Sequence, residues 1–219
     1  MSLDLTQRTP LIGGIAVGTR RFGDWNGTIS VIVRYRGKRM LLSCFHVLVG
    51  DSNPPPNDTI CQPASSQVVV AKLWGEFAVG INKDAALAVI EDQNLANNAS
   101  NQIFDLPITI TGFATDLSSI PKGTTVMKRG IATGRTNGVI TDFGWTTEVK
   151  YPKLPQKVLR LKDQIQLKFD TPTQGGDSGS AIVLPDGRIV GILVGADTSG
   201  FSYATPIQII LQKFPGLTL

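Results

Sequence analysis

The chain is poor in the side chains that bind metals: one histidine and two cysteines among 219 residues. A structural zinc site takes about four His or Cys ligands at short spacing. Cys44, Cys61 and His46 offer no such set, so no metal and no cofactor is expected. Two cysteines are also too few for a disulfide framework. Charged residues make up only 17%, and the net charge is +4. The basic residues are dispersed, with local groups at Arg20-Arg21, Lys128-Arg129 and from Lys153 to Lys162, and these read as solvated faces. Nucleic-acid binding asks for a clustered basic stripe with aromatics, which is missing. No apolar run approaches the length of a membrane span. Met1 to Thr9 is polar, unlike a secretory leader. A cytoplasmic location without membrane contact is the expectation. The glycine-rich stretch from Gly13 to Gly23 is not followed by Lys-Ser/Thr, which rules out a phosphate loop.

What is plentiful points to strands and turns. Hydrophobic residues reach 42%, with 23 glycines and 13 prolines between short Val/Ile/Thr runs. That is the composition of an all-β chain with a buried core, and the length suits one large domain or two small ones.

The organising stretch is Gln174-Gly175-Gly176-Asp177-Ser178-Gly179-Ser180, followed by apolar Ala181-Ile182-Val183-Leu184. Glycines on both sides of a serine allow backbone turns closed to other residues. They leave the hydroxyl at a tight corner and let the amides of Gly176 and Ser178 point the same way, as in an oxyanion hole. Taken alone, the stretch also fits an ordinary hairpin loop. A serine nucleophile needs a base, and His46, after Leu41-Leu42-Ser43-Cys44-Phe45, is the single histidine. A lone histidine in apolar company is more often a core residue than a catalyst. Here an aspartate downstream leads an apolar strand, Asp84-Ala85-Ala86-Leu87-Ala88-Val89-Ile90. A carboxylate at the head of a buried strand needs a partner, and an imidazole N–H is suitable. Asp51 and Asp58 are rival carboxylates nearer His46 in sequence.

In chain order, residues 1–10 read as an arm and Leu11 to Gly18 as an early strand. Thr28 to Tyr35 and Arg39 to Phe45 are strands joined at Arg36-Gly37-Lys38, with His46 at the end of the second. Asp51 to Asp58 is a surface loop. Gln67 to Trp74 and Asp84 to Ile90 complete the first half. Residues 91–107 are a crossing. Ile108 to Phe113, Thr124 to Arg129, Gly138 to Phe143, Gln164 to Phe169, Ser180 to Leu184 and Ile189 to Val194 form the second half. Pro185-Asp186-Gly187-Arg188 is a tight turn. Pro206 to Phe214 is a terminal helix opened by proline and packed on the second half.

The order His46, Asp84, Ser178 with Gly-Asp-Ser-Gly at the serine resembles the chymotrypsin-like serine proteases, and differs from the subtilisin and α/β-hydrolase orders. Leu42-Ser43-Cys44-Phe45-His46-Val47 is similar to that family's small-residue run ending in His, and Lys83 to Leu87 to its Asp-Ile-Ala-Leu segment. Val126 to Ile140 resembles a hairpin of the α-lytic and streptogrisin group. Phe201 to Ile207 resembles the closing strand of the high-temperature-requirement proteases. The resemblance implies two six-stranded antiparallel β-barrels with a short C-terminal helix. The arm spans 1–10, the first barrel and linker 11–107, and the second barrel and helix 108–219. It implies a serine endopeptidase acting on peptide or protein substrates through His46, Asp84 and Ser178, with the Gly176 and Ser178 amides on the oxyanion. By the same resemblance Pro172 is the base of the specificity pocket. Its walls are Val194-Gly195-Ala196 and Gly200-Phe201-Ser202. With no carboxylate at the base, a small or medium apolar residue is expected before the scissile bond.

Secreted relatives staple the histidine loop, which Cys44 and Cys61 are placed to do. The position of Cys44 inside an apolar run favours a small buried thiol instead. Leu11 to Gly18 is similar to the freed N-terminus that pairs with the aspartate before the serine, here Asp177, in activated trypsins; an early barrel strand is the simpler reading. Two other functions use the same residues: an inactive or latent protease-fold binding module, and an esterase. Control by a latent conformation, a regulatory partner or a fused domain is expected of a peptidase in a cytoplasm.

Overall fold

The computed structural model describes residues 2–51, 54–150 and 158–219. Its short apolar runs curl into two sheets, each with one face on a core. The first sheet contains β1 (Ala16–Thr19), β2 (Gly27–Thr28), β3 (Val31–Tyr35), β4 (Lys38–Ser43), β5 (Thr59–Cys61), β6 (Val69–Gly80) and β7 (Lys83–Val89). Its order is β2-β1-β5-β6-β7-β4-β3. The outer strands β2 and β3 are consecutive in the chain. Between them Ile29 N donates to Ile15 O (2.9 Å) and Ser30 N to Leu42 O (2.8 Å). The backbone therefore joins the two edges, and β2 with β3 form one bent stave of a six-staved barrel.

The second sheet contains β8 (Gly112–Phe113), β9 (Thr125–Gly130), β10 (Gly134–Lys150), β11 (Val158–Phe169), β12 (Ala181–Val183), β13 (Arg188–Ala196) and β14 (Ser202–Pro206). β12 pairs with both β9 and β13, which closes β12-β9-β10-β11-β14-β13 into a six-stranded ring. Closure removes the open edges that a flat sheet would expose. β8 lies outside the ring, parallel to β13. The two barrels have the predicted all-β architecture.

Turn chemistry explains the hairpins. Arg36 (φ 47°) and Gly37 (φ 75°) join the Tyr35–Lys38 pair, and two central residues at positive φ match the twist of the flanking strands. At the other predicted turn, Leu184 N donates to Arg188 O (2.9 Å) and Gly187 N to Leu184 O (3.0 Å).

Several boundaries differ from the sequence reading. The predicted strand from Leu11 to Gly18 is divided. Leu11 and Gly13 pair with the crossing segment, through Ser100 N to Leu11 O (2.8 Å) and Gly13 N to Gln102 O (3.0 Å), whereas from Gly14, whose N–H donates to Ile29 O (2.7 Å), the chain joins the barrel. The crossing contains α2 (Gln93–Asn98), capped by the Asp92 side chain on Leu95 N. Strand β5 is three residues long, too short to show a period. Ser52 and Asn53 of the expected surface loop, and Lys153 and Lys157 of one basic group, lie outside the described residues.

The terminal helix, α3 (Ile207–Lys213), packs on β13 and β14 as expected and also reaches β7 of the first barrel. Beyond it Phe214 meets Tyr35 edge-on (5.6 Å), and Thr218 pairs with Arg34. The C-terminus therefore ties the two barrels together. Cys44 and Cys61 are free and buried. Among the described residues no helix is long and apolar enough to cross a membrane.

Candidate active site

Strand β4 ends at Ser43, two residues earlier than predicted. Leu48 N bonds Cys44 O (3.1 Å) and Val49 N bonds Phe45 O (2.8 Å), which makes a one-turn helix, α1 (Phe45–Leu48). His46 therefore stands on a helical turn and not on a strand. Its backbone N–H donates to Asp84 Oδ1 (3.1 Å), and its Nδ1 lies 2.5 Å from Asp84 Oδ2. Asp84 is the second residue of β7 and is fully buried. A buried carboxylate accepting at both oxygens fixes the ring's tautomer: Nδ1 carries the proton and Nε2 is the basic nitrogen. The rival carboxylates are engaged elsewhere. Arg21 Nε donates to Asp58 Oδ2 (2.6 Å), and the same guanidinium pairs with Asp51.

Cys44 Sγ, the His46 ring and the Asp84 carboxylate lie within 4.8 Å of one another, close enough to share a metal ion. Burial and the nearby Asp84 charge push the Cys44 thiol well up. It stays protonated and donates to Leu193 O (3.1 Å), while Nδ1 and Oδ2 occupy each other. These bonds already use Cys44 Sγ, His46 Nδ1 and Asp84 Oδ2, the atoms a metal ion would need.

The serine loop is held from both barrels. Gly179, at φ 95°, packs so closely that a Cβ would lie 2.1 Å from Thr28 O and 2.3 Å from Ser43 Oγ; only glycine fits. Thr28 N donates to Ser178 O (2.8 Å), and Thr28 Oγ1 donates to Gly176 O (2.8 Å). With those carbonyls tied down, the N–H groups of Gly176 and Ser178 meet no acceptor among the described residues. Ser178 Oγ rests on the Val194 carbonyl at 3.2 Å.

Asp177 needs no chain terminus as a partner. Lys128 Nζ lies 3.3 Å from its Oδ2, and both side chains are fully buried. Thr133 Oγ1 adds a bond to Oδ2 (2.7 Å), and the amides of Ala132 and Thr133 bond Oδ1 (3.0 Å each). Burial pulls the Lys128 ammonium below its usual range, with the Asp177 charge acting against it. Lys128 and Arg129 are thus not a solvated face. Adjacent strand residues point to opposite sides, so one of the two had to turn inward. Both are buried, Arg129 being paired with Asp4.

No protein-family model matches the chain, and no curated protein matches it by sequence. Solved structures do. Protease A of Thermobifida fusca is 20% identical with a TM-score of 0.67, covering 95% of this chain and 97% of that one. A glutamic acid-specific serine protease is 21% identical with a TM-score of 0.70, over 95% and 100%. A chymotrypsin of Cellulomonas bogoriensis is 19% identical with a TM-score of 0.65, over 95% and 97%. The fold is that of the chymotrypsin-like serine proteases.

In this chymotrypsin-like fold a cleft of about 750 Å³ runs between the barrels, with both His46 and Ser178 in its lining. Gly176, Val194, Gly195 and Ala196 also line it, where the sequence reading put them. Pro172 and Phe201 do not. Pro172 is exposed. Phe201 is drawn away by a tight turn in which Asp197 Oδ1 accepts from Ser199 N (2.9 Å) and Phe201 N (3.0 Å). Its ring packs on the core beneath the Lys168 ammonium. Thr173 and Thr198 take part in the wall instead, and Thr147 to Val149 of β10 with Val158 of β11 overhang it. Leu3, Trp25 and Asn26 also line the cleft. The sequence reading missed all of these. Trp25 had one local signal, a large aromatic between charged and polar residues. Leu3 had none.

Proposed function

We propose that the protein is a serine endopeptidase that hydrolyses peptide bonds through His46, Asp84, Ser178 and an acyl-enzyme intermediate. The observation that supports it most is the buried Asp84–His46 pair beside a serine whose loop presents two amides without acceptors. In this reading Ser178 turns from Val194 O toward the cleft and attacks the scissile carbonyl carbon. Its hydroxyl proton passes to His46 Nε2. Asp84 holds the ring and stabilises the imidazolium that forms. The Gly176 and Ser178 N–H groups bind the oxyanion, each lowering the barrier by about 3 kcal/mol. The Nε2 proton then goes to the leaving amine, and water releases the acyl group by the same route.

The cleft also suits an extended peptide. β13 pairs with β14 through Gly195–Tyr203 and Ala196–Ser202, whereas its pairing with β12 starts only at Ile192. The edge from Val194 to Ala196 is therefore open on the cleft side, and a peptide can add to it as a strand. The small walls there fit a small or medium apolar residue before the scissile bond. A cleavage screen dominated by Lys or Arg at that position counts against this preference.

Labelling with a fluorophosphonate probe tests the assignment. Wild type is expected to label, and Ser178→Ala and His46→Ala are expected not to. One observation favours a second reading, a latent binding module: the resting hydrogen bond of Ser178 to Val194 O. No labelling of folded wild type supports that reading.

A further inference from the structure

The arm from Leu3 to Arg8 is fastened to both barrels, with Leu3 at its start lining the cleft. Asp4 N donates to Ile131 O (2.8 Å) of the second barrel. The Asp4 carboxylate pairs with the buried Arg129 and with Arg8 (3.0 Å). Arg8 N donates to Gln62 Oε1 (2.9 Å), and Gln62 Nε2 returns a bond to Thr6 O (3.1 Å), which fastens the arm to the first barrel. Arg8 and Arg129 both stack on the Phe104 ring, at 4.0 and 5.0 Å. An arm anchored at so many points is a fixed wall.

The wall stands at one end of the site. A Cβ added to Gly176 would lie 2.8 Å from Leu3 Cδ2, 3.2 Å from Ile131 and 3.5 Å from Ala132. Leu3 therefore covers the face of the oxyanion glycine, beside Ser178 in the cleft. The open edge from Val194 to Ala196 lines the same cleft, and its first carbonyl touches Ser178 Oγ. With the acyl part of a substrate along that edge and ending at Ser178, a path past Gly176 carries the residues after the scissile bond over Leu3.

We propose that Leu3 is a specificity-determining residue that selects an apolar side chain within the two residues following the scissile bond, and that the Asp4 clamp holds it there. This rests on the serine-peptidase reading above. Losing one apolar contact in a specificity site changes discrimination about 10-fold.

The test uses the full chain as wild type, Leu3→Ala, Leu3→Met and Leu3→Asp. Two substrate sets share one acyl part. One is a quenched-peptide library varied at the two positions after the bond; the other is an acyl p-nitroanilide, which lacks those residues. Wild type is expected to favour apolar residues in the library. Leu3→Ala is expected to lower the peptide-to-anilide ratio of kcat/KM about tenfold, Leu3→Met to restore it, and Leu3→Asp to move the library preference toward Lys and Arg. Identical library preferences in all four proteins overturn the proposal. So does a rise in kcat/KM for both substrate sets with Leu3→Ala, which makes the arm a block. Wild type that neither labels with fluorophosphonate nor cleaves either set overturns the peptidase reading as well.

Discussion

Asp84 and Asp177 are both withdrawn from solvent, one in each barrel, but they keep different company. Asp84 faces an imidazole whose charge can appear and disappear. Asp177 faces Lys128, a cation sealed in with it, together with two amides and the Thr133 hydroxyl. In the proposed mechanism the first charge gains its partner during the reaction, while the second arrangement is complete at rest. A carboxylate with a switchable partner can serve chemistry, and one with a fixed partner sets the shape of a loop. Their neighbours mark the division: Asp84 lies against the residue that would move protons, and Asp177 directly precedes the residue that would attack.

The contrast is sharpest in activity. His46→Ala should remove on the order of 10⁶ in kcat and, by taking the ring donor from the buried Asp84 carboxylate while leaving its backbone donor, about 1–3 kcal/mol of stability. Asp84→Asn should cost about 10⁴ in kcat by favouring the wrong tautomer. Lys128→Met should behave differently. It strands the Asp177 charge and should destabilise the fold by about 3–5 kcal/mol, read by denaturant unfolding; adding Asp177→Asn should recover part of that loss. If Lys128→Met leaves stability intact and abolishes only turnover, the division between the two carboxylates fails. Thr28→Val keeps the side chain's shape but removes its bond to Gly176 O. It should cost about 1–2 kcal/mol and, through the oxyanion loop, about tenfold in kcat.

The smallest effect concerns a third carboxylate, Asp4. Burial is the largest single influence and raises its pKa, but the bonds from Thr6, Arg129 and Arg8 together outweigh it and hold the carboxyl well below the usual carboxylate range. A depressed folded-state pKa adds stability above the unfolded carboxylate's pKa and loses it as the pH falls toward the folded value. Wild type should therefore exceed Asp4→Asn by about 1 kcal/mol at pH 7, and the gap should close in acid. A gap that widens in acid contradicts the clamp.

The readable parts of the molecule are those governed by local rules. Hairpin turns follow from glycine placement, as at Gly37 and Gly187, and strands from apolar runs such as Leu41-Leu42. The lone histidine left no choice of imidazole, and the Gly-Asp-Ser-Gly corner marked its own serine. The fold followed from the order of these segments. Contacts between distant segments were not readable. Lys128 looks like any surface lysine until Asp177, 49 residues away, closes over it. The turn that lifts His46 off its strand depends on a carboxylate 38 residues downstream. Phe201 was expected in the cleft because the family resemblance makes it a pocket wall, yet one Asp197 turn moves it aside. Leu3 has no sequence signal, since its position depends on Arg129 and Gln62 holding the arm.

Thr28 belongs to the first barrel, yet it holds the carbonyls of Gly176 and Ser178 in the second. The serine loop therefore senses how the two barrels are seated. A shear of about an ångström between them stretches those bonds beyond hydrogen-bond range while each core keeps its packing. The expected consequence on heating is that activity fades at a temperature where the β-sheet circular dichroism signal is still whole.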